Sequence, residues 1–225
     1  MPSPRFRNLD PAKQAAILDA ASEEFATHEF EEASYNRVIE RAGISKGAMY
    51  YYFDNKEDLY QTVLQRMFEQ LAQYVAVDME VDSAEAYWRR SERVYARMLR
   101  FFQLDRSAAG LARGLMRARE RGQHADDAAE RRERGREVTA SELALGQRVG
   151  AVRHDLPQNL LVGLAMATSQ GVYGWMAEQL RMLPESELEP VARALVRVYR
   201  RLLEPVAAGS EDASALLKAE RHPSD

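Results

Sequence analysis

The sequence contains no cysteine, which excludes disulfides, thiol nucleophiles and Cys-based zinc sites and fits a reducing compartment. It has no run of about 18 apolar residues, the length a membrane-spanning helix needs. Its first residues, MPSPRFRNLDPAKQ, lack the apolar centre of a secretory signal. A cytoplasmic protein with no membrane partner is the expectation. Alternating β-branched runs are also missing, so strands are not expected. The four histidines, at 28, 124, 154 and 222, are too scattered for an HExxH zinc pair, and there is neither a phosphate-cradling glycine loop nor a nucleophile elbow. His154-Asp155 reads as a turn pair. No catalytic residue, metal site or cofactor is therefore expected. A formal net charge of −4 supplies no global attraction to nucleic acid, so such a partner has to be met by a local patch.

What is present points to helices. With 225 residues, 46% of them hydrophobic, the chain can bury a core, and its apolar residues recur three and four apart almost everywhere. Asp10 and Pro11 predict the start of a helix with Ala15, Leu18, Ala21 and Phe25 on its apolar face, ending near His28. Ser34 caps a short helix carrying Val38, Ile39 and Ala42, which Gly43 stops. Ser45 caps a second short helix running to Tyr52 or Phe53. Asn55, with Asp58 three residues on, resembles a capping box with Asp in place of Glu. The long helix it opens runs through Leu59, Val63, Met67, Leu71 and Val75. The acidic stretch 78–83 is the best candidate boundary. Beyond it, helices are expected over 84–104, 108–121, 127–149, 158–182 and 187–203, then a polar tail. The expected fold is all-α: an N-terminal three-helix unit over residues 1–58, a larger helical part over 59–208 joined to it by the long helix, and a tail over 209–225.

Residues 43–53 read GISKGAMYYYF. Two short helices joined by Gly43-Ile44-Ser45 form the pattern of a helix-turn-helix, whose second helix lies in the DNA major groove. Successive helix positions turn by about 100°, so Tyr50, Tyr51 and Tyr52 cannot all face a core. Met49 and Phe53, four apart, make the inward stripe, which leaves Gly47 and Tyr51 opposite and Tyr50 on a flank. Lys46 lies nearer the inward stripe, but its stem can carry the ammonium to solvent. Phenol hydroxyls, a lysine and a helix start suit phosphate oxygens, and an outward glycine permits close approach. The same tyrosines also fit rim packing, with Gly47 merely tolerated near the helix start.

Residues 25–59 resemble the DNA-binding domain of the tetracycline-repressor (TetR) family of bacterial regulators. The resemblance rests on Ser34, on Ala42-Gly43-Ile44-Ser45, on Lys46-Gly47-Ala48-Met49-Tyr50-Tyr51-Tyr52-Phe53, and on Lys56-Glu57-Asp58-Leu59. It implies phosphate contacts from Tyr50, Tyr51 and Lys56, close approach at Gly47, and reach to phosphate or base edges from Lys46 and Tyr35; Ser45 joins the candidate contacts. Tyr52 stands where the family often has histidine, so packing and contact are both open to it. Glu29, Ile39 and Ala48 depart from the family's usual glycine, small alanine and threonine. Residues 1–60 hold seven Lys or Arg against eleven Asp or Glu, unlike the usual basic reading face. The acids crowd between Asp19 and Glu32, whereas residues 43–56 carry Lys46 and Lys56 against Asp54 alone, which predicts modest non-specific affinity.

The remainder resembles the same family's ligand-binding and dimerisation domain, most clearly at residues 150–157, GAVRHDLP, which look like the turn before the family's eighth helix. Gly163, Ala167 and Gly171 make a small-residue ridge that lets another helix approach, and Val191, Leu195, Val198 and Leu202 form an apolar stripe. Together they suit half of a homodimer interface, or packing inside one subunit. Trp88, Tyr95, Met98 and Phe102, with Met116, Met166, Gln170 and Tyr173, suit an adaptable ligand cavity, although such residues also make plain core. The mixed-sign run at 130–137 reads as a solvated helix face.

The expectation is a homodimeric transcriptional regulator, a repressor that leaves a palindromic double-stranded operator when a small-molecule effector occupies the helical domain. The alternative is an all-α enzyme or ligand-binding protein whose helix-turn-helix reads no operator.

Overall fold

A computed structural model describes residues 3–121 and 125–206 of the chain; the tail expected from residue 209 lies outside the described residues. Among these, the regular structure is helical throughout. The helices are α1 (Pro4–Arg7), α2 (Pro11–Thr27), α3 (Tyr35–Ala42), α4 (Lys46–Tyr52), α5 (Lys56–Val75), α6 (Ala84–Leu104), α7 (Arg106–Glu120), α8 (Ala125–Arg148), α9 (Gln158–Gln179) and α10 (Leu188–Leu203). Two short 3-10 turns, Leu180–Met182 and Glu185–Glu187, separate α9 from α10.

Local chemistry sets these boundaries. Asp10 Oδ1 accepts from the Ala12 and Lys13 amides at 3.0 and 3.3 Å, and Pro11 occupies the first turn of α2, where its missing N–H is no loss. Ser34 and Ser45 cap α3 and α4 by accepting from Arg37 and Ala48 at 3.3 and 3.1 Å. Between them Gly43 takes a left-handed conformation, φ 65°, which a side chain would strain. At α5, Asn55 Oδ1 accepts from the Asp58 amide at 2.9 Å, while Asp58 Oδ2 accepts from the Asp54 amide at 3.3 Å. The capping box is thus real, but its return bond reaches one residue further back than the motif does.

The chain folds into two compact units. One comprises Met1–Tyr74 and Phe101–Gln123, the other Val75–Arg100 and His124–Asp225. The expected break after residue 58 is therefore not where the compact units divide. Leu59, Tyr60, Val63, Leu64 and Met67 of α5 share one buried cluster with Ile17, Ala21 and Phe25 of α2, Val38 of α3 and Met49 of α4. Phe101, Ala108 and Leu111 join it, because α7 lies directly on α2. At Gly110 the approach is close enough that a β-carbon would sit 2.5 Å from Ala26 Cβ.

In the second unit, Leu188, Ala192, Val196, Tyr199 and Leu203 form the buried face of α10. The turn after α8 uses Gly150 at φ 73°. It closes with Ala151 and Val152 donating to the Gly146 carbonyl at 2.8 and 3.1 Å, and with Arg153 N–H donating to the last carbonyl of α10, Leu203 O, at 2.8 Å. His154 Nε2 lies 3.2 Å from Gln147 O, and Asp155 holds Arg153 at 2.5 Å. Residues 154 and 155 lie within this turn.

The contact at Gly110 yields a paired test. Gly110→Ala should destabilise the fold by about 1–3 kcal/mol through overpacking. Gly114→Ala, four residues along the same helix with nothing within 4 Å of its added carbon, should stabilise it by up to about 1 kcal/mol. Denaturant midpoints check both signs.

Candidate nucleic-acid interface

The short helix α4 has one buried side. Met49 is 0% and Phe53 1% exposed, whereas Tyr50 and Tyr51 stand 53% and 51% exposed. Ser45, Lys46 and Gly47 are exposed on the same helix. A β-carbon on Gly47 would meet only Ser45 Oγ, at 4.0 Å. Nothing inside the protein therefore requires a glycine there. Ile39 is buried in the cluster beneath, and Ala48 is half-buried.

Tyr52 is half-buried, with its ring edge-on to Phe6 at 6.1 Å between centroids. Its ring thus packs on the segment before α2. Tyr35, expected to reach phosphate or bases, is turned inward. Its ring meets Tyr50 edge-on at 5.3 Å, and its hydroxyl is buried with no hydrogen-bond partner among the described residues. Burial and the neighbouring Tyr50, Asp58 and Asp54 push its pKa up. Tyr35 thus backs Tyr50 rather than presenting a donor.

Lys56 also points into the protein. Its ammonium donates to the carbonyls of Phe30, Glu31 and Ala33 at 2.5, 3.1 and 3.0 Å and lies 4.6 Å from the centre of the Phe30 ring. All three N–H donors are therefore engaged inside the protein, tying α5 to the loop before α3. That loop is held from another side by Glu29, which pairs with Arg117 and Arg121 of the α7 segment at 3.3 and 2.5 Å. The departure from the family's usual glycine at position 29 thus creates an ion-pair anchor.

Sequence reasoning missed a buried charge behind α3. Glu24 on α2 is 1% exposed, and its Oε1 accepts from Arg37 Nη2 at 2.5 Å and from the Ser34 amide at 2.8 Å. His28 Nδ1 lies 3.4 Å from the same oxygen. Burial would raise the Glu24 pKa, but the Arg37 and Ser34 hydrogen bonds, with His28 and Arg37 close by, hold it below its ordinary value of 4.5. An ionisable residue on an otherwise apolar helix face, one before Phe25, was the available signal.

The other candidate residues fall in two places. Trp88, Tyr95, Met98, Met166, Gln170 and Tyr173 belong to the second unit, whereas Phe102 and Met116 belong to the first, where Phe102 packs on the apolar cluster. The structure does not assemble all eight within one compact unit. Tyr95 does face Tyr199, rings 5.5 Å apart, and Tyr199 Oη lies 2.8 Å from Ser169 Oγ. Burial raises the pKa of Tyr95 and pushes that of Tyr173 up to about 12. Ser169 and Tyr199 were not singled out, although Ser169 lies four residues before Tyr173, on one helix face. A surface groove of about 580 Å³ is lined by Tyr74, Phe101 and residues 104–107, and none of the eight candidates lines it.

Along α9, Ala167 and Gly171 are exposed and Gly163 half-buried, with Leu160 and Trp175 also exposed. On α10, Val198 is exposed, and Val191, Leu195 and Leu202 are half-buried. The stripe of α10 expected at an interface is thus not its buried face. Among the described residues, no three His, Asp or Glu side chains come together as a metal site, and no helix is long and apolar enough to cross a membrane.

Residues 17–63 match the family model described as bacterial regulatory proteins, tetR family. The chain is 37% identical over 59 residues to the HTH-type transcriptional activator FasR of Mycolicibacterium smegmatis. It is 40% identical over 58 residues to the HTH-type transcriptional regulator RutR of Escherichia coli. Either match covers 26% of this chain and 27% of the relative's length. Across most of the chain the likeness is one of fold. A TetR family transcriptional regulator from Chloroflexus aurantiacus aligns over 90% of this chain and 98% of its own, with 21% identity and a TM-score of 0.59. The fatty acid degradation regulator FadR from Bacillus halodurans aligns over 84% and 97%, with 19% identity and a TM-score of 0.62.

The charge buried behind α3 has a pH signature. The depressed Glu24 pKa means its contribution is present above the ordinary value of 4.5 and is lost as pH falls through and below it. Glu24→Gln should cost about 1–2 kcal/mol at neutral pH, a difference that shrinks below that value. Denaturant melts of both proteins across the acid range check this.

Proposed function

We propose that this chain, whose residues 17–63 match the family model of tetR-type bacterial regulatory proteins, is a ligand-responsive DNA-binding transcriptional regulator. The observation that carries the reading is the division of α4. Its inward residues are fully buried, and Lys46, Gly47, Tyr50 and Tyr51 are left to solvent within the stretch the family model matches. A helix so held presents one fixed set of donors. Lys46, Tyr50 and Tyr51 would meet phosphate oxygens, with Ser45 beside them, and Gly47 would let the backbone approach the duplex. Tyr35, Tyr52 and Lys56 support this face from behind.

The reading extends to a homodimer on a palindromic operator, because two-fold protein symmetry matches half-sites one helical turn apart. The open stripe of Ala167, Gly171 and Trp175 on α9, with Val198 on α10, is the surface proposed to pair. A small-molecule effector would occupy the second unit, where Tyr95, Tyr199, Ser169 and Tyr173 bring hydroxyls into an otherwise apolar interior. Its occupancy would release the operator, making the protein a repressor, and no catalysis is assigned to it.

Selecting bound duplexes from a random DNA pool tests the reading directly. Lys46→Ala and Tyr50→Ala should each weaken binding to the selected duplex at least about tenfold with circular dichroism unchanged; a wild-type protein that enriches no sequence refutes the assignment. Gly47→Ala separates fold from function. It should raise stability by up to about 1 kcal/mol and weaken DNA binding, and a variant that binds as well as wild type removes Gly47 from the contact face. For the dimer, Gly171→Leu should lower the mass measured by light scattering towards that of one chain.

A further inference from the structure

The segment before the family-matched residues is fastened to the end of α4. Ser3 N–H donates to the Tyr52 carbonyl at 3.1 Å, and Ser3 Oγ donates to the Tyr51 carbonyl at 3.3 Å. Phe6, 3% exposed, places its ring 4.7 Å from that of Phe53. These contacts fix α1 against the helix that carries the exposed tyrosines. Arg5, between the two anchors, is exposed and lays its guanidinium over the Tyr51 ring, 3.9 Å from the centroid.

The geometry points to Arg5 as a phosphate-binding residue of the DNA interface, acting with Tyr51 as one stacked unit. A guanidinium stacked on an aromatic face keeps its N–H fork in its own plane, free for the two oxygens of a phosphate. The stack also fixes that plane in advance, so less side-chain freedom is lost on binding. No carboxylate among the described residues pairs with Arg5. Tyr51, its platform, belongs to the exposed face of α4, so the fork lies beside the donors proposed for DNA.

Charge makes this contribution consequential. Lys56 is engaged by carbonyls and Arg37 by Glu24, which leaves Lys46 as the one lysine or arginine on the exposed part of the helix-turn-helix from Ser45 to Lys56. Arg5 adds a second cation to that face, in a segment whose first 60 residues carry more acid than base. The inference rests on the regulator reading, with double-stranded DNA as the partner, and extends the interface beyond the helix-turn-helix.

The test uses the full chain and the duplex that wild-type protein selects from a random pool. Binding is measured by fluorescence anisotropy across a salt series, for wild type, Arg5→Gln, Arg5→Lys and Lys46→Ala. Loss of one phosphate contact should weaken Arg5→Gln about tenfold at low salt and reduce the slope of log K against log salt by about 0.9. The selected sequence should stay the same. Arg5→Lys should recover the slope and only part of the affinity, because an ammonium keeps the charge without the fork. An unchanged slope for Arg5→Gln, whatever its affinity, would show Arg5 to be packing alone and overturn the inference. If Lys46→Ala still loses affinity in that case, the regulator reading stands. If wild type selects no duplex, both fall together.

Discussion

Everything proposed for this chain depends on the burial of Met49 and Phe53, at 0% and 1% exposure, beneath a helix of seven residues. So short a helix is not stable alone, so tertiary packing has to hold it and fix its rotation. Four residues advance a helix by a little over one turn, so the two anchors define a single inward line, and the positions between and opposite them are committed to solvent. That is why a run of three tyrosines divides as it does: Tyr50 and Tyr51 outward, Tyr52 sideways against Phe6. The cap at Ser45 and the left-handed Gly43 set where the helix begins and the angle at which it leaves α3, but the anchors decide what it shows.

Electrostatics then works within that geometry rather than setting it. Two cations near the helix-turn-helix serve the scaffold: Lys56 gathers three carbonyls of the loop before α3, and Arg37 neutralises a carboxylate buried on α2. Both fix the loop and the α3 start that back the reading helix. Glu29 contributes from the acidic side, through Arg117 and Arg121. The Glu24–Arg37 pair leaves the charge count over the first 60 residues unchanged, whereas Asp19 and Glu29 pair with Arg66, Arg117 and Arg121 beyond it, so that count overstates the acidity of the segment.

How much of this was legible in the sequence follows from the range of each interaction. The caps at Asp10, Ser34, Ser45 and Asn55, the stop at Gly43 and the inward pair Met49 and Phe53 involve residues within four positions of each other, and all could be read. The roles of Lys56 and Tyr35 could not, because Lys56 finds its carbonyls 23 to 26 residues away and Tyr35 is oriented by a ring on another helix. The resemblance supplied the residue types at these positions but not the direction of their side chains. Helix α1, with four residues, is too short for periodicity to reveal; its one local sign was Ser3 followed by Pro4, a cap and a first-turn proline. The compact units divide after Tyr74, near the acidic stretch, and again after Arg100, where no local signal stands. An acidic, helix-poor stretch at 78–83 marks a change in local composition, whereas the compact units are defined by α7 lying on α2.

The placement of α7 constrains how an effector could act. Residues 106–120 follow the second unit's part of α6 in the chain but pack on α2 so closely that Gly110 admits no side chain. Interfaces that tight tend to have discrete arrangements rather than a continuum. The α7 segment also holds Glu29, at the entry to the loop that Lys56 grips and that leads into α3. A displacement of α7 would therefore act on the loop from Glu29 to Ser34 and so on the start of α3, while Met49 and Phe53 remain buried. The rotation of the reading helix and the face it exposes are set within the first unit, by Met49 and Phe53. This agrees with a core in which α2, α3, α4 and α5 share one buried cluster, and it places the adjustable contacts at its edge, where Gly110 meets Ala26 and Glu29 meets Arg117 and Arg121.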